Sequence, residues 1–353
     1  MILLNPGPVN VSDRVRLAAA MEPMCHREPE YFDLQDDVRA RLLRLFALPA
    51  AEFAAVLVTG SGTSAVEAMI ASGVPAGKRL LVVNNGVYGE RIARMAAVHG
   101  IPVDEVSFPW QTPADPDAVS RAADTVRDLG AIALIHHETT TGLVNPVAPV
   151  AEIARKRGVR LLVDSVSGLA GDAIDVASTD LCAGTGGKCV QALPGLSFVF
   201  VRRTWLADAP RRSVYLDLAE LAAKQDARNT PFTPAVPLVA ALREALTEAI
   251  EEGLAARLDR YRRTAQLLRD GFERMGLKRW LPHDALSNTL TTLRLPAGRT
   301  YASAHDALKK EGFVIYAGQG SLEREAFRIA NMGWIPPAQL ERLLGALEGW
   351  VRS

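Results

Sequence analysis

Residues 159–168 read Val-Arg-Leu-Leu-Val-Asp-Ser-Val-Ser-Gly, a short apolar run that ends in the carboxylate of Asp164. Such a run predicts a buried β-strand, and open α/β sheets bind their ligands at the carboxyl ends of their central strands. Apolar runs of this kind alternate with amphipathic stretches from about Phe53 to Arg203. The alternation predicts an α/β fold in which a mostly parallel, doubly wound sheet is flanked by helices.

Hydrophobic periodicity, together with glycine and proline at the boundaries, predicts six strands and four helices in that region. The predicted strands are Ala55–Val58, Leu80–Val83, Val103–Val106, Ala131–Ile135, Val159–Val163 and Leu196–Val201. The predicted helices are Ser64–Ser72, Tyr88–Val98, Pro116–Leu129 and Val150–Arg157.

The remaining sequence has a different pattern. One long helical stretch is predicted from roughly Val236 to Met275, followed by short strands that alternate with helices. These elements are strands at Leu290–Leu295, Phe313–Tyr316 and Ala326–Ile329, a helix near Ala302–Glu311 and a last helix from Pro337. We therefore expect an N-terminal arm (residues 1–20), a large domain (residues 21–250) and a smaller α+β domain (residues 251–353).

Composition excludes several classes of protein. The chain has 353 residues, 48% hydrophobic and 23% charged, which is typical of a globular protein with a sizeable core. Lys plus Arg and Asp plus Glu both total 40, so no overall positive charge attracts nucleic acid or an anionic membrane. The three cysteines form no CxxC pair, which argues against a disulfide framework. Without a secretory leader or an apolar run of ~20 residues, we expect a cytoplasmic protein.

Lys188 lies among small residues, in Gly184-Thr-Gly-Gly-Lys-Cys189. Small residues let a bulky ligand approach the backbone, and burial lowers the pKa of a lysine so that its free amine can attack a carbonyl. Lys188 is therefore a candidate Schiff-base lysine, and a surface lysine in a glycine turn is the alternative. The run imitates a P-loop, but the Walker pattern would place its first glycine at Cys182 and its magnesium-binding hydroxyl at Cys189.

A second glycine-rich turn, Thr59-Gly-Ser-Gly-Thr-Ser-Ala65, joins a predicted strand to a predicted helix. Its amides and hydroxyls can bind a phosphate at the helix N-terminus. The turn also satisfies the dinucleotide pattern GxGxx(G/A), but the next strand ends in Asn84-Asn85, with no acidic residue to hold a ribose. A compact phosphate is favoured over NAD. Asp164 is then a candidate partner for a cationic ring nitrogen of a cofactor that carries this phosphate. A helix N-cap or a solvated residue at the end of a strand is the alternative.

Nine motifs resemble those of the class V aminotransferases, and in particular the branch that transaminates 2-aminoethylphosphonate with pyruvate. They occur in the same order over nearly the whole chain, at residues 5–8, 59–67, 85–91, 136–146, 163–167, 187–189, 232–234, 312–316 and 327–329. The resemblance implies a fold type I structure with a seven-stranded sheet and pyridoxal 5′-phosphate (PLP) as the cofactor. It also implies a homodimer with shared active sites.

The resemblance also implies roles for individual residues, with Lys188 binding PLP and Asp164 pairing with its ring nitrogen. The other implied PLP contacts are Ser61, Gly62 and Thr63 on the phosphate, Tyr88 stacked on the ring, Thr139 on the ring-hydroxyl side, and Thr230 and Thr233 on the partner subunit's phosphate. Arg328 would bind the anionic group of the substrate, which suits its planar fork of donors. Arg27 either adds positive charge there or pairs with Glu28 or Glu30.

No metal site is expected, because His136 and His137 are adjacent on a strand and point to opposite faces. The implied reaction is a ping-pong transfer of the amino group of 2-aminoethylphosphonate to pyruvate, giving phosphonoacetaldehyde and alanine.

Four departures from the branch leave the amino donor open. Before the lysine, the branch usually has Ser-Ala-Asn, whereas this chain has Gly184-Thr-Gly-Gly. Before Phe232, the branch usually has a stretch that contains tryptophan, whereas this chain has Arg228-Asn-Thr-Pro. Tyr316 is followed by Ala-Gly-Gln instead of Pro-Gly-Lys, and Ala330 replaces a glycine. An alanine or serine aminotransferase acting with glyoxylate or pyruvate is therefore the alternative. A catalytically silent scaffold and an NAD-dependent dehydrogenase are disfavoured by the retained lysine and aspartate and by the missing ribose acid.

Overall fold

The computed structural model describes residues 1–282 and 285–353, which form fourteen β-strands and eleven α-helices. The strands are β1 (Ile2–Leu3), β2 (Phe53–Thr59), β3 (Arg79–Asn84), β4 (Val103–Ser107), β5 (Leu129–Ile135), β6 (His137–Glu138), β7 (Leu143–Val144), β8 (Arg160–Asp164), β9 (Leu181–Thr185), β10 (Leu196–Arg202), β11 (Leu290–Arg294), β12 (Phe313–Val314), β13 (Tyr316–Ala317) and β14 (Ala326–Ala330). The helices are α1 (Asp13–Ala19), α2 (Pro29–Leu45), α3 (Gly62–Gly73), α4 (Val87–Val98), α5 (Pro116–Thr125), α6 (Val147–Arg157), α7 (Leu218–Asp226), α8 (Val236–Glu252), α9 (Leu254–Arg274), α10 (Tyr301–Lys310) and α11 (Pro337–Arg352).

Seven strands form the central sheet, in the order β2-β10-β9-β8-β5-β3-β4. All neighbours are parallel except β10, which runs antiparallel to both β2 and β9. The reversal has a simple cause, because residues 186–195 between β9 and β10 are too few for the crossover of a dozen or more residues that a parallel connection needs. The predicted mostly parallel α/β sheet is confirmed.

Both faces of this sheet are covered by helices, as the near-continuous apolar strands require. Along β2, Ala54, Val56 and Val58 face one apolar cluster, which contains residues of α3, α4 and α7. Phe53, Ala55 and Leu57 face the other, which contains residues of α2, α5, α6 and α8. The core is therefore two apolar layers with the sheet between them.

A second, three-stranded antiparallel sheet has the order β11-β14-β13. It packs with α10 and α11 around a third apolar cluster that includes Phe327 and Trp350. The N-terminal strand β1 joins this part of the molecule by pairing with β12. The division at residues 20 and 250 stays a prediction.

The structure corrects the element assignments in several places. The central strand β9 was not predicted, since Leu-Cys-Ala-Gly-Thr contains small residues of low strand propensity. The single long helix predicted from Val236 is wrong, because Gly253 adopts φ +81° and separates α8 from α9. The helix predicted to reach Leu129 ends at Thr125, and Phe313–Tyr316 is two short strands. Helices α1, α2 and α7 were not predicted either.

Among the helices of residues 1–282 and 285–353, none combines the length and the apolar character needed to span a bilayer.

Candidate active site

A cavity of about 270 Å³ opens at the carboxyl ends of the central strands, and it collects most of the predicted site residues. Seven of them line it: Ser61, Gly62, Thr63, Tyr88, Thr139, Asp164 and Lys188. They come from the β2–α3 turn, the start of α4, the end of β8 and the loops after β6 and β9. The position agrees with the rule that open α/β sheets bind ligands where their strands end.

Lys188 extends into this cavity from the loop after β9. Its Nζ makes no hydrogen bond or ion pair with any residue that the structure describes. Burial lowers the pKa of Lys188 from 10.5 to about 8, an effect that the negative charge of Asp164 partly opposes. Near neutral pH an amine with this pKa has a far larger neutral, nucleophilic fraction than an ordinary lysine, although most of it is still protonated.

Asp164 ends β8 and is buried. One carboxylate oxygen, Oδ1, accepts a hydrogen bond of 3.0 Å from the amide of Val166. Burial raises the pKa of Asp164 to about 6, against the lowering effects of that hydrogen bond and of the charges of Arg91 and Lys188. A buried carboxylate of this kind gains from a cationic partner, which a protonated ring nitrogen provides.

The turn before α3 leaves its helix N-terminus without a cap. Ser61 is the N-cap residue, and its side chain makes no capping hydrogen bond. The hydroxyl and the first amides of α3 therefore stay available to an anion, with the favourable end of the helix dipole behind them. The turn is also tightly packed, because a Cβ on Gly62 would be 2.5 Å from Val166. This arrangement fits the phosphate of a cofactor whose carbonyl reaches Lys188.

Tyr88, in the first turn of α4, is positioned by a residue that sequence reasoning did not single out. The amide of Tyr88 donates a 3.1 Å hydrogen bond to Oε2 of buried Glu138. The other oxygen, Oε1, accepts from the amide and the hydroxyl of Thr140, at 3.0 and 2.6 Å. A Cβ on Gly86 would be 2.3 Å from the Glu138 carboxyl carbon, so glycine is needed there. Both Glu138 and Gly86 belong to the motifs that carry the family resemblance.

Arg91 is a second residue that sequence reasoning missed as a site residue. It lines the same cavity, with its guanidinium carbon 4.6 Å from the centroid of the Tyr88 ring, in cation–π contact. Its Nη1 is 3.5 Å from Oγ1 of Thr63, in the phosphate-binding turn. No carboxylate of the described residues forms an ion pair with it. The available signal was its place three residues after Tyr88, on the same face of a helix.

Arg328, on β14, is buried and does not itself line the cavity, but one of its three hydrogen bonds goes to Thr139, which does. Its Nε donates to the carbonyl of Ala317 (2.8 Å), and its Nη1 donates to the carbonyl of Thr139 (3.0 Å) and to Oε1 of Gln319 (2.9 Å). No acidic side chain of the described residues lies within ion-pair distance. A buried cation without an acidic partner is costly, and an anionic ligand would offset that cost.

Thr230 and Thr233 lie apart from these residues. They line a separate cavity together with Thr59, Tyr215 and Phe232. Arg27 contacts this segment, because its Nη1 donates to Oδ1 of Asn229 and to the carbonyl of Thr230, at 2.5 and 2.8 Å. The alternative ion pairs of Arg27 with Glu28 or Glu30 are not formed.

The adjacent histidines bind different partners. His136 Nδ1 is 2.8 Å from Oγ of Ser165, whereas His137 Nδ1 is 3.4 Å from the carbonyl of Ser167. Burial lowers the pKa of His137 to about 3, so its ring is neutral near pH 7. In residues 1–282 and 285–353, no group of three or more His, Cys, Asp or Glu side chains is placed to hold a metal ion.

Comparisons with known proteins agree with this geometry. The family model described as aminotransferase class-V matches residues 18–330. The chain is 36% identical to a 2-aminoethylphosphonate–pyruvate transaminase of Aeromonas hydrophila subsp. hydrophila, over 98% of this chain and 94% of the relative. It is 35% identical to a protein of the same name from Syntrophobacter fumaroxidans, over 98% of this chain and 95% of that one.

Solved structures give the same picture. An alanine–glyoxylate aminotransferase from Nostoc sp. superposes with a TM-score of 0.93 at 30% identity, covering 99% of this chain and 95% of that one. A pyridoxamine–pyruvate aminotransferase from Mesorhizobium loti superposes with a TM-score of 0.91 at 27% identity, covering 100% and 92%.

Proposed function

This chain belongs to the class V aminotransferase family, and from that premise we propose that it transfers the amino group of 2-aminoethylphosphonate to pyruvate, giving phosphonoacetaldehyde and alanine. One observation of the site carries the proposal: buried Arg328, which has no acidic partner among the described residues, donates to the carbonyl of Thr139, and Thr139 lines the cavity that contains the free amine of Lys188. This pairing suits a substrate with an amine at one end and an acid group at the other. The names of the relatives with 35–36% identity support the phosphonate as that acid.

The cofactor that we propose is PLP. The uncapped N-terminus of α3, the free amine of Lys188 and the buried carboxylate of Asp164 together fit its phosphate, its carbonyl and its ring nitrogen. When bound, PLP supplies the carbonyl that takes up the amino group and a ring that stores the electrons released at the substrate carbon.

The residues of this chain have separate tasks in the reaction. Lys188 Nζ would hold the cofactor and, once free, would act as the general base that takes a proton from the substrate carbon and then as the acid that returns it. Asp164 would keep a proton on the ring nitrogen by accepting a charge-assisted hydrogen bond. Tyr88, whose amide is held by Glu138, would pack against the ring and fix its orientation.

We further propose a homodimer with shared sites. In one chain, Thr230 and Thr233 lie in a different cavity from Lys188, so they serve a phosphate only if they reach the site of a second subunit. The isologous pairing of identical subunits would then complete two sites at once.

A single-turnover assay tests the proposed function. PLP-loaded protein is mixed separately with 2-aminoethylphosphonate, L-alanine and L-serine, and the visible absorbance of the lysine-bound cofactor is followed. We expect fast loss with the phosphonate, recovery on adding pyruvate, and no change in Lys188→Ala. Loss with only L-alanine or L-serine would replace the phosphonate by the second candidate, an alanine or serine aminotransferase, which the likeness to the Nostoc enzyme favours.

A further inference from the structure

Arg328 has a limited set of N–H groups left for a substrate. A guanidinium carries five N–H donors, and three of them bond to the carbonyls of Ala317 and Thr139 and to Oε1 of Gln319. Both hydrogens on Nη1 and the one on Nε are used. The two hydrogens on Nη2 remain.

Because the hydrogens on Nε and Nη1 of Arg328 already have acceptors, the usual way in which arginine holds a carboxylate is blocked. A planar carboxylate binds side by side, either to Nη1 and Nη2 or to Nε and Nη2. Each of these forks needs one hydrogen that Ala317, Thr139 or Gln319 already accepts. Ala317 and Thr139 contribute backbone carbonyls, whereas Gln319 contributes a side chain. Gln319 is therefore the partner that a substitution can remove without changing the backbone.

The orientation of the Gln319 amide follows from its partner. Since a guanidinium only donates hydrogen bonds, the atom that faces Arg328 must be the amide oxygen. The two N–H donors of Nε2 then point away from Arg328, and Nε2 makes no hydrogen bond with the described residues. Gln319, joined to the same guanidinium through its amide oxygen, thus offers a second, neutral donor in addition to Nη2 of Arg328.

The loop that carries Gln319 is tightly packed. A Cβ on Gly318 would be 2.1 Å from the carbonyl oxygen of Leu322, and a Cβ on Gly320, which has φ +59°, would be 2.9 Å from the Trp110 ring. Leu322 is buried in the apolar cluster that also contacts Trp110. Two glycines therefore flank Gln319 at positions that accept no side chain, which fixes the segment that presents it.

We propose that Gln319 is a specificity-determining residue that holds the acid group of the amino donor jointly with Arg328. The three oxygens of a tetrahedral phosphonate can accept from Nη2 of Arg328 and from Nε2 of Gln319 separately, whereas a planar carboxylate loses the side-by-side fork that is its strongest arrangement with a guanidinium. The inference rests on the proposed function, in which the donor ends in a phosphonate. It assigns the preference for a phosphonate over a carboxylate to Gln319.

The test uses Gln319→Ala and Gln319→Glu in the PLP-loaded protein, with exposed Glu323→Gln in the same loop as the matched control. Two quantities are measured: the ratio of kcat/KM for 2-aminoethylphosphonate to that for L-alanine, and the ratio of Kd values for ethylphosphonate and propionate, which carry no amine. We expect Gln319→Ala to shift both ratios toward the carboxylate by about tenfold. The phosphonate loses the hydrogen bond from Nε2 of Gln319, and the carboxylate gains the hydrogen on Nη1 of Arg328 that Gln319 had accepted. Gln319→Glu pairs with Arg328 and weakens binding of both acids by about tenfold or more.

The outcomes separate the inference from the proposed function. Ratios within about twofold of the original protein in Gln319→Ala, with unchanged thermal stability, would overturn the role of Gln319 whether or not the phosphonate is a substrate. Conversely, a wild-type protein that fails to transaminate 2-aminoethylphosphonate overturns the proposed function. The binding ratio for ethylphosphonate and propionate, and its change in Gln319→Ala, would still support or refute the role of Gln319.

Discussion

Gly7 lies directly against the amino group of Lys188: a Cβ built on Gly7 would be 2.5 Å from Nζ and 2.8 Å from Cε of the lysine. Gly7 has φ +106° and lines the same cavity. The N-terminal segment therefore forms one wall of the site, and its closest approach is to the atom that we propose attaches the cofactor.

From this contact we predict that Gly7→Ala slows PLP loading by about tenfold or more, because the methyl group displaces Nζ from its position. The rate is followed by the rise of visible absorbance after PLP is added to cofactor-free protein. The matched control is Gly276→Ala, at φ +77° with no atom within 4 Å of the added Cβ. Both changes cost about 1–2 kcal/mol of stability through the positive φ, so equal loading rates in the two variants would rule out a collision with Lys188.

Loading should also depend on pH through Lys188. Burial lowers the pKa of Lys188 to about 8. The fraction of Lys188 in the neutral form therefore falls about tenfold per pH unit below pH 8, and nearly all of the lysine is neutral above pH 9. We expect the loading rate to follow this curve in cofactor-free protein. A rate that still rises at the same slope above about pH 9 would mean that the lysine titrates near its ordinary value.

The same shift predicts a trend in stability. Between about pH 8 and the model value of 10.5, the unfolded chain binds more protons at Lys188 than the folded chain does. The free energy of unfolding therefore rises with pH across this window relative to Lys188→Met, which has no titrating group there. Urea unfolding of both cofactor-free proteins at several pH values gives the difference, and parallel pH profiles would contradict the shift.

The sequence predicts features of this structure that depend on neighbouring residues better than features that depend on residues far apart along the chain. Six strands of the central sheet were predicted because their apolar runs are local patterns, whereas β9 was hidden by its glycine and alanine. Seven of the site residues expected from residue chemistry and motif resemblance line one cavity. The contacts that position them are long-range: Gly7 with Lys188, and Glu138 with Tyr88. No local periodicity encodes such pairs, because they depend on how the strands and loops pack in three dimensions.

Glu138→Gln should weaken PLP binding although Glu138 is absent from the lining of the cavity. The side-chain oxygen of the new glutamine can keep the two hydrogen bonds from Thr140. The side-chain NH2 group of the glutamine must then face the backbone N–H of Tyr88, so that two donors oppose each other. Leaving one buried donor unpaired costs about 1–3 kcal/mol, which corresponds to about 5- to 150-fold in Kd if the cost falls on the bound state. Glu67→Gln, whose partner is His99 outside the cavity, is the control. An unchanged Kd would show that Tyr88 is held by other contacts.

Arg91→Met should lower PLP affinity by about tenfold, since Arg91 is a cation near Thr63 and stacks on Tyr88. The charge of Arg91 also lowers the pKa of Asp164, so its removal should raise that pKa further above its ordinary value. The carboxyl pKa of Asp164 in the two cofactor-free proteins, followed by NMR, measures this rise. Exposed Arg94→Met on the same helix provides the control, and equal affinities in the two variants would exclude a role of Arg91 at the phosphate.

The proposed sharing of sites between subunits can be tested by mixing two inactive variants. One subunit carries Lys188→Ala, and the other carries Thr230→Val with Thr233→Val. If each site takes its lysine from one subunit and its threonines from the other, every mixed dimer contains one intact site and one doubly altered site. Random exchange makes about half of the dimers mixed, so activity should recover to about one quarter of the wild-type value. Should the mixture be no more active than the average of the two variants alone, Thr230 and Thr233 would not serve a partner's site, and their separate cavity in the single chain would need another explanation.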